Sequence, residues 1–364
     1  MVFTSTLLRA VGAALTAASL ALSHDSPTHS GGYTLADSFN TSNFFREFSF
    51  FSDGDPTNGA VAYVDASTAN KDGLAGYTQG GIYLGVDYKK SASSTTNRPS
   101  TRLESKKSWN RGLFIFDIQH MPAGTASSKG CGLWPALWTL GPDWPAGGEI
   151  DIIEGVNTQN HNFVVLHTQD ACPVSNNGAM ANTKLVSADC KGHLGCKQQA
   201  SSPTTFGTDF NAAGGGVYAM EWTDDTISVW FFPRNSPLLN TTRASSPDPA
   251  TFGEPLAKFV SAGCAMSSAF KDHRIIINTS LCGDWAGKEW DSTAECKAMA
   301  NTCADFVGNN PDAFENAYWI FNSLKVFQRG EGMGGGNGTG NGTGNGTEYG
   351  RGHGYDRRRG VLRG

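Results

Sequence analysis

The sequence predicts an all-β protein in which two antiparallel sheets pack face to face and one concave face is able to hold an extended ligand. Three observations favour this class. Short apolar or alternating runs rich in aromatic and β-branched residues recur along the chain, and Gly, Asp, Asn or Pro closes each run. The 364 residues also include 45 glycines, which suits many tight turns. Composition alone leaves open whether the ligand is a sugar, a peptide or nothing.

The strand pattern is clearest from residue 163 onward. Thr223-Asp224-Asp225 separates two such runs and predicts a hairpin turn. Convincing long amphipathic helices are missing from the pattern, and residues 292–305 are expected to supply one short helix. The clearest strand candidates are residues 163–167, 218–222, 226–231, 274–278 and 318–327.

The chain opens with the pattern of a secretory signal peptide. Residues 1–23 run from a short polar start containing Arg9 into an apolar, Ala/Leu-rich stretch that ends in Ala21-Leu22-Ser23, which suits cleavage between small residues. A buried helix or a membrane anchor fits less well, because the apolar run is short and interrupted by Gly and Ser. We therefore expect the protein to be secreted.

The body of the chain, residues 24–329, is long enough for a sizeable core and fits one all-β domain. The formal net charge is -5 and the body carries no basic stripe, which argues against a nucleic-acid partner. Beyond the signal peptide no stretch is apolar for long enough to cross a bilayer, so we expect no membrane insertion. We expect the folded chain to be a monomer.

The eight cysteines are even in number and follow a predicted signal peptide, so disulfide bonds are their expected state. A zinc site would need closer pairs than the spacings from Cys190 to Cys196 and from Cys296 to Cys303. The sequence leaves the connectivity open. The other cysteines are Cys131, Cys172, Cys264 and Cys282.

Asn-x-Ser/Thr triplets, the acceptors of N-linked glycans, occur six times and point to the same compartment. Three of them form a tandem NGTG repeat within residues 330–364, a segment rich in Gly, Asn and Arg. Such a segment cannot bury enough apolar surface to offset its ordering entropy, so it is predicted to be a disordered, glycosylated tail. The triplets begin at Asn40, Asn240, Asn278, Asn337, Asn341 and Asn345.

Residues 147–155 (GGEIDIIEG) carry three carboxylates at strand spacing. Isoleucines alternate with Glu149 and Asp151, so a strand places these two acids on one face and the isoleucines in the core. Glu154 comes five residues after Glu149, and strict alternation would turn it to the opposite face. One β-bulge near Ile152-Ile153 restores the register, and all three acids then line one groove.

Three acids on one face favour catalysis over a solvated strand surface, because adjacent like charges cost energy and bring an isolated strand no benefit. With the bulge, Glu149 and Glu154 lie ~13 Å apart at Cα and can lean together until their carboxyl groups are roughly 5–6 Å apart, as in a retaining glycosidase. Asp151 can share a hydrogen bond with Glu149 and disfavour a further negative charge nearby. That arrangement helps to keep Glu154 protonated.

Three tryptophans precede the acids, and tryptophan rings stack on the C–H faces of sugars. Trp134 belongs to an alternating apolar run and is predicted to pack in the core. Trp138 and Trp144, the latter beside Pro and Gly in a predicted loop, are better sugar platforms. His167 lies on the next predicted strand and could face the groove, although a lone histidine is more often structural.

This part of the sequence resembles glycoside hydrolase family 16, in particular its fungal endo-1,3(4)-β-glucanase, or laminarinase-like, branch. Residues 148–157 (GEIDIIEGVN) carry that family's ExDxxE pattern in its bulged form. The similarity extends over most of the chain. Further matching segments are residues 53–59, 63–65, 98–103, 112–114, 120–122, 218–230 and 282–285.

The resemblance implies a β-jelly-roll sandwich, a concave substrate groove and double-displacement hydrolysis with net retention. At the matching positions Glu149 looks like the nucleophile, Asp151 like the assisting acid and Glu154 like the general acid/base. The implied substrate is a β-glucan with β-1,3 or mixed β-1,3/1,4 linkages, with no metal or organic cofactor, and the implied location is extracellular or cell-wall associated. The implied substrate-binding residues are Arg102, Trp138, Trp144, His167 and Trp285.

Two other functions stay open. Some family members are transglycosylases, in which the same acids pass the glycosyl group to another polysaccharide instead of water. Others bind glucan without catalysis, but these typically lack the catalytic glutamates, and both Glu149 and Glu154 are present here. Hydrolysis is therefore favoured, followed by transglycosylation and then by binding alone.

Overall fold

The computed structural model describes residues 32–78, 80–91, 97–176 and 181–330. The predicted signal peptide and the tail beyond Gly330 lie outside these residues, as do the triplets at Asn337, Asn341 and Asn345. Within the four described stretches, no helix combines the length and the apolar composition needed to cross a membrane.

Nineteen strands and six short α-helices make up the regular structure of the described residues. The helices are α1 (Phe44–Glu47), α2 (Ala66–Asp72), α3 (Gly207–Ala212), α4 (Met266–Ala269), α5 (Ala294–Lys297) and α6 (Cys303–Asn309). The strands are β1 (Tyr33–Phe39), β2 (Phe48–Phe50), β3 (Val61–Tyr63), β4 (Ala75–Thr78), β5 (Gly81–Gly85), β6 (Arg98–Ser100), β7 (Arg102–Ser105), β8 (Gly112–His120), β9 (Leu133–Leu140), β10 (Glu149–Glu154), β11 (Phe163–His167), β12 (Val174–Ser175), β13 (Thr183–Ser187), β14 (Cys196–Ala200), β15 (Gly216–Trp222), β16 (Thr226–Pro233), β17 (Ala257–Ser261), β18 (Arg274–Leu281) and β19 (Tyr318–Arg329).

Two large antiparallel sheets contain nearly all of these strands. The nine-stranded sheet has the order β12-β17-β16-β15-β8-β19-β5-β4, and β1 pairs with β19 beyond β5. The eight-stranded sheet has the order β13-β14-β11-β10-β9-β18-β7-β2, and β3 and β6 form a separate parallel pair. The predicted all-β class with two antiparallel sheets is confirmed.

The main core lies between the two sheets. On the nine-stranded sheet, Phe114 and Phe116 point inward, and on the eight-stranded sheet Ile150 and Val164 do so. These side chains alternate with outward-facing residues along their strands, which is the period that two packed sheets require. The predicted hairpin is also confirmed, since the backbone of Thr223 bonds to that of Thr226 between β15 and β16.

All eight cysteines form disulfide bonds, so the predicted oxidised state is confirmed. Two of the bonds tie the segment after β18 to the start of β9 and the end of β18. The pairs are Cys131–Cys296, Cys172–Cys264, Cys190–Cys196 and Cys282–Cys303.

Residues 292–305 form two short helical segments instead of the single helix predicted. Helix α5 ends at Lys297, and α6 begins at Cys303 after Thr302, whose hydroxyl accepts a hydrogen bond from the N–H of Asp305. Cys296 and Cys303 are bonded to different parts of the chain, and this holds the two helices as separate elements.

The glycosylation triplet at Asn278 cannot serve as an acceptor in the folded protein. Asn278 is buried on β18, its Nδ2 donates to the hydroxyl of Tyr63 (3.1 Å), and its Oδ1 accepts from Trp138 Nε1 (2.7 Å). A glycan on this nitrogen would break the first bond and require space that the fold does not leave. Asn240 is exposed and stays a predicted site, as does Asn40, which is half-buried.

Candidate active site

Strand β10 bears the three acids and contains a single bulge. Along β9, Asp151 pairs with Trp138 and Ile153 pairs with Leu137, which leaves Ile152 as the extra residue. Both isoleucines are fully buried between the sheets. The bulge predicted at this position is confirmed, and it compensates for the odd spacing of the two glutamates.

The bulge turns Glu154 to the face that carries Glu149 and Asp151. From β11 on one side, His167 Nε2 lies 3.4 Å from Asp151 Oδ2 and 4.0 Å from Glu149 Oε1, and the charge of His167 also acts on Glu154. From β9 on the other side, Trp134 Nε1 donates a hydrogen bond to Glu154 Oε1 (2.9 Å). The three predicted catalytic residues therefore share one site.

Burial dominates the acidity of these acids. It raises the pKa of Glu149, Asp151 and Glu154 above their ordinary values, because the charged form is penalised away from water. The charge of Asp151 raises the pKa of Glu149 further, since an oxygen of each carboxyl lies within 4.8 Å of the other. The hydrogen bond expected between these two carboxyls stays a prediction. The hydrogen bond from Trp134 and the charge of Lys197 oppose the shift at Glu154. Each of the three carboxyls therefore keeps its proton to a higher pH than an exposed carboxyl does.

His167 acts as a protonated partner of these acids. Burial alone would lower the pKa of its ring, but the close contact with Asp151 and the negative charges of Glu149 and Asp151 raise that pKa to about 10. On the other side of the ring, Nδ1 donates to the carbonyl oxygen of Gly192 (2.8 Å). The imidazolium is therefore held between a backbone carbonyl and two carboxyl groups.

Glu149, Asp151 and His167 also form the kind of cluster that can hold a metal ion, with ligand atoms all within 4.8 Å of one another. A histidine ligand must be neutral, with a free lone pair on the coordinating nitrogen. The raised pKa of His167 instead places a proton on Nε2 near neutral pH. A cation that bound these three groups would therefore have to displace this proton.

Trp138 and Arg102 occupy the β9 and β7 side of the site. Trp138 is half-buried, and its Nε1 donates to Asn278 Oδ1 (2.7 Å). The Arg102 guanidinium lies 5.2 Å from the centroid of the Trp138 ring, while its Nε and Nη2 both donate to Glu104 Oε1 (3.1 and 2.9 Å). Arg102 therefore braces Trp138, and its predicted contact with sugar stays a prediction.

Trp134 does not pack in the core as predicted. It is half-buried on β9, donates to Glu154 and meets the ring of Trp285 edge-on, with centroids 5.9 Å apart. It lies four residues before Trp138, and an even spacing along a strand places both side chains on one face. This even spacing was the signal that could have placed Trp134 in the site. The apolar residues around it led instead to the incorrect prediction of a core position.

Trp285 lies at the Glu154 end of the site, in the turn after β18. Lys197, which the sequence did not single out, places its Nζ 4.2 Å from the centroid of the Trp285 ring and lowers the pKa of Glu154 against the effect of burial. Lys197 and Gln199 are the less buried positions of β14. Alternation along β14 was the only signal for Lys197, since no motif includes it.

Trp144 lies in the loop between β9 and β10 and is 38% exposed. Its side chain lowers the pKa of Glu149 against the larger effect of burial, and its ring centroid is 6.4 Å from that of His167. Its ring also packs on His193, at 4.8 Å. His193 belongs to the small loop closed by Cys190–Cys196, which only the folded structure brings beside Trp144.

Comparisons with known proteins identify the family of this fold and site. A family model described as "XgeA-like, catalytic GH16 domain" matches residues 48–327, which include all three acids. The match therefore covers most of both sheets, from the start of β2 almost to the end of β19.

Curated fungal relatives extend the similarity along the chain. A probable endo-1,3(4)-β-glucanase of Aspergillus fumigatus is 41% identical over 335 residues, which are 90% of this chain and 50% of the relative. The endo-1,3(4)-β-glucanase xgeA of Emericella nidulans is 40% identical over 335 residues, covering 90% and 52% of the two chains. The chain thus spans about half the length of these curated relatives.

Solved structures match the fold over the described domain. Laminarinase 16A from Phanerochaete chrysosporium, with β-glucans in its donor and acceptor sites, has a TM-score of 0.76 and 38% identity, covering 81% of this chain and 99% of the other. An elongating family 16 β-1,3-glucosyltransferase has a TM-score of 0.75 and 42% identity, covering 81% and 100%. The chain therefore belongs to glycoside hydrolase family 16, with the β-jelly-roll fold and an XgeA-like catalytic domain.

Proposed function

We propose that this chain is a secreted, retaining endo-β-glucanase that hydrolyses internal β-1,3 linkages of β-glucan. The observation that carries the proposal is the bulged strand β10, which brings two glutamates of one face together with a buried aspartate between them. The names of the curated relatives and the glucan-bound laminarinase support the substrate class.

The proposed reaction is a double displacement. Glu149 attacks the anomeric carbon while protonated Glu154 gives its proton to the departing glycosidic oxygen, and a glycosyl-enzyme forms. Glu154, now ionised, removes a proton from water as the water attacks the same carbon and releases the sugar and Glu149. The bonds and protons balance with water as the only second substrate, so the reaction calls for no cofactor.

Asp151 and His167 prepare the nucleophile in this scheme. The charge of Asp151 disfavours a second charge on Glu149, so Glu149 becomes a free carboxylate most readily when Asp151 holds a proton. The imidazolium of His167 lies 4.0 Å from Glu149 Oε1 and stabilises that carboxylate. Glu149 loses its negative charge when it attacks. The His167 cation, which stays in place, balances that charge before the attack.

Four aromatic side chains are the proposed sugar contacts around these acids. Trp144 offers an exposed ring at the Glu149 end, and Trp134 and Trp285 meet edge-on at the Glu154 end. Trp138 lies between them, opposite Asp151. Flat apolar rings beside hydrogen-bonding carboxyls suit a pyranose chain, whose faces are apolar and whose edges are polar. Arg102 and His167 complete the proposed contacts.

Transglycosylation is the second candidate, and one observation favours it. The glucosyltransferase structure, described as elongating, matches this chain at 42% identity over its whole length. The first half of the reaction is the same in both cases, and the outcomes differ in whether water or a sugar hydroxyl attacks the glycosyl-enzyme.

Extracellular location and N-glycosylation belong to the same proposal and are supported by the four disulfide bonds.

Product analysis on laminarin, with and without an added oligosaccharide acceptor, tests the proposal. Hydrolysis predicts short β-1,3 oligosaccharides and new reducing ends in both reactions. Products longer than the added acceptor, with few new reducing ends, would establish the transglycosylase instead. Binding to laminarin without any change in chain length would overturn both enzymatic functions.

A further inference from the structure

The bulge in β10 leaves backbone N–H and C=O groups without hydrogen bonds to the strands on either side. An extra residue interrupts the ladder, so the peptide groups around it lose their cross-strand partners. Ile152 and Ile153 are fully buried, which keeps water away from these groups. A buried backbone group without a hydrogen bond destabilises the fold, so partners must come from elsewhere.

One side chain supplies two of these partners. Asn162 Nδ2 donates to the carbonyl oxygen of Ile152 (2.8 Å), and Asn162 Oδ1 accepts from the backbone N–H of Glu154 (3.0 Å). The two bonded peptide groups lie on either side of Ile153. A single carboxamide thus supplies both the donor and the acceptor that a neighbouring strand would normally provide at the bulge.

Asn162 is itself held firmly. Its side chain is fully buried, its backbone N–H donates to Thr205 Oγ1 (3.2 Å), and its carbonyl accepts from the N–H of Ala200 (2.9 Å). Thr205 Oγ1 in turn donates to the carbonyl of Ser202 (2.6 Å). The carboxamide therefore has a fixed position relative to the sheet. Its hydrogen bond with the N–H of Glu154 holds the backbone of Glu154 in place as well.

We propose that Asn162 is a positioning residue for catalysis: its carboxamide sets the geometry of the bulge and thereby aims the Glu154 carboxyl at the glycosidic oxygen. This inference rests on the proposed function, because it assumes that Glu154 is the general acid/base. Asn162 lies directly before β11, beside the bulge, and acts on Glu154 through the backbone, whereas Trp134 holds the carboxyl end of the Glu154 side chain.

The inference predicts a selective defect. Without the carboxamide, the bulge relaxes and the Glu154 carboxyl moves, while Glu149, which precedes the bulge, keeps its pairing with His167 and Leu140. Loss of aim therefore weakens proton donation to the leaving group more than nucleophilic attack. General acid catalysis contributes about 100-fold to 10,000-fold, and small misplacements remove part of that.

The experiment compares Asn162→Ala with the wild-type chain on two aryl β-laminaribiosides. A dinitrophenyl glycoside has a leaving group that needs no proton, and a methylphenyl glycoside has one that does. We expect kcat/KM to fall by about 10-fold to 100-fold on the methylphenyl substrate and by less than about 3-fold on the dinitrophenyl substrate. Asn162→Asp keeps the acceptor for Glu154 N–H, but its second oxygen faces the Ile152 carbonyl and can bond to it only as the protonated acid, so its defect should be equally selective and should grow as the pH rises.

Gln198 provides a matched control for the loss of a buried carboxamide. It is also fully buried, and it also donates to one backbone carbonyl (2.7 Å) and accepts from one backbone N–H (3.1 Å), both of Lys258 in the other sheet. Gln198→Ala should lower thermal stability as Asn162→Ala does, but any fall in kcat/KM should be equal on both substrates.

The relative losses of kcat/KM on the two aryl glycosides decide whether Asn162 positions Glu154. Equal losses on both substrates in the folded Asn162 variants, or no loss on either, would overturn the positioning role. If Asn162→Ala does not fold, the isosteric Asn162→Asp gives the same comparison. A wild-type chain that cleaves neither aryl glycoside nor laminarin would refute the proposed function instead, so the two failures are distinguishable.

Discussion

Glu154 must be protonated in the first half of the proposed reaction and ionised in the second, and its surroundings support both states. Burial favours the neutral acid, whereas the hydrogen bond from Trp134 and the positive charge of Lys197 favour the carboxylate. These opposing influences keep the two protonation states closer in free energy than burial alone would. A group balanced in this way suits a proton that is given and taken back in each cycle.

The roles of the two glutamates can be separated by the stereochemistry of an azide product. Glu154→Ala retains the nucleophile, so a dinitrophenyl glycoside should still form the glycosyl-enzyme, which then accumulates. Azide needs no general base and should restore turnover as the β-glycosyl azide, after two inversions. Glu149→Ala removes the nucleophile, and azide in its place should attack once and give the α-glycosyl azide.

Nuclear magnetic resonance of the anomeric proton distinguishes the two azides. Gln159→Ala serves as a control, because Gln159 Oε1 accepts from the N–H of Val156 just beyond β10 and contacts neither glutamate. This control should retain glucanase activity without azide. The opposite pairing of variants and anomers would exchange the roles of Glu149 and Glu154.

His167 should control the acidic side of the pH profile. Its imidazolium lowers the pKa of Glu149, against the larger effect of burial, and its own pKa of about 10 keeps it charged across the working range. His167→Gln removes this cation, so the pKa of Glu149 should rise further. The acidic limb of kcat/KM should then move to higher pH, with a greater loss of activity at about pH 5 than at about pH 8.

The measurement is kcat/KM on the dinitrophenyl glycoside across pH, because this substrate removes the contribution of Glu154. His120→Gln is a control of the same residue type: His120 stacks on Tyr318, far along the nine-stranded sheet, and its profile should match the wild type. An acidic limb at the wild-type position in His167→Gln would mean that His167 does not set the charge of Glu149.

At the residue scale, the sequence predicted the acids because charge on an apolar, alternating strand is costly and therefore conspicuous. It did not predict Lys197, whose role depends on Trp285, a residue that comes close only in the fold. The role of Asn162 was not predicted for a similar reason, since a lone asparagine ahead of a strand resembles a turn residue. Such residues act through partners that a linear pattern does not reveal.

At the scale of elements, the bulge and the strand that contains it were predictable, and the loops around the site were not. The bulge follows from an odd spacing between two residues that must face the same way. The loop closed by Cys190–Cys196 follows no such rule, because the sequence allows many pairings among eight cysteines. This loop nevertheless supplies the Gly192 carbonyl that holds His167.

The β9–β10 loop should contribute binding energy through Trp144. Its ring is 38% exposed and backed by His193, so a sugar can cover the free surface. Trp144→Ala should weaken laminari-oligosaccharide binding by about 1–3 kcal/mol, the value of a lost aromatic contact surface. Isothermal titration with the inactive Glu149→Ala background measures this directly.

Leu238 supplies the control for this loop prediction. It is also 38% exposed, but it lies against Gly253 beside the nine-stranded sheet. Leu238→Ala should leave oligosaccharide affinity unchanged. Equal affinities for the Trp144 variant and its parent would remove Trp144 from the proposed sugar contacts.

At the scale of the whole molecule, the two sheets differ in what covers their outer faces. The nine-stranded sheet is covered by a second layer of apolar packing, in which Leu113 and Val217 meet Leu239 and Phe252. The eight-stranded sheet instead turns half-buried tryptophans, acids and a lysine outward. Two sheets were predictable from alternation, but this asymmetry required knowing which strands are neighbours, which alternation does not specify.

The same architecture predicts where the folded domain ends. Strand β19 ends at Arg329 and lies in the middle of the nine-stranded sheet, pairing with β8 on one side and with β5 and β1 on the other. A chain cut after Gly330 keeps every described strand, whereas a chain cut after Asn316 loses β19, which is the only partner of β1 and one of the two partners of β5 and of β8. The first should keep its Tm within about 2 °C and its kcat/KM on laminarin, because no more than about 1 kcal/mol of stability is at stake. The second should yield no soluble enzyme, since it exposes the edges of three strands and the buried side chains of Trp319 and Phe321. Loss of soluble, active protein on the first cut would show that the domain needs residues beyond the last strand.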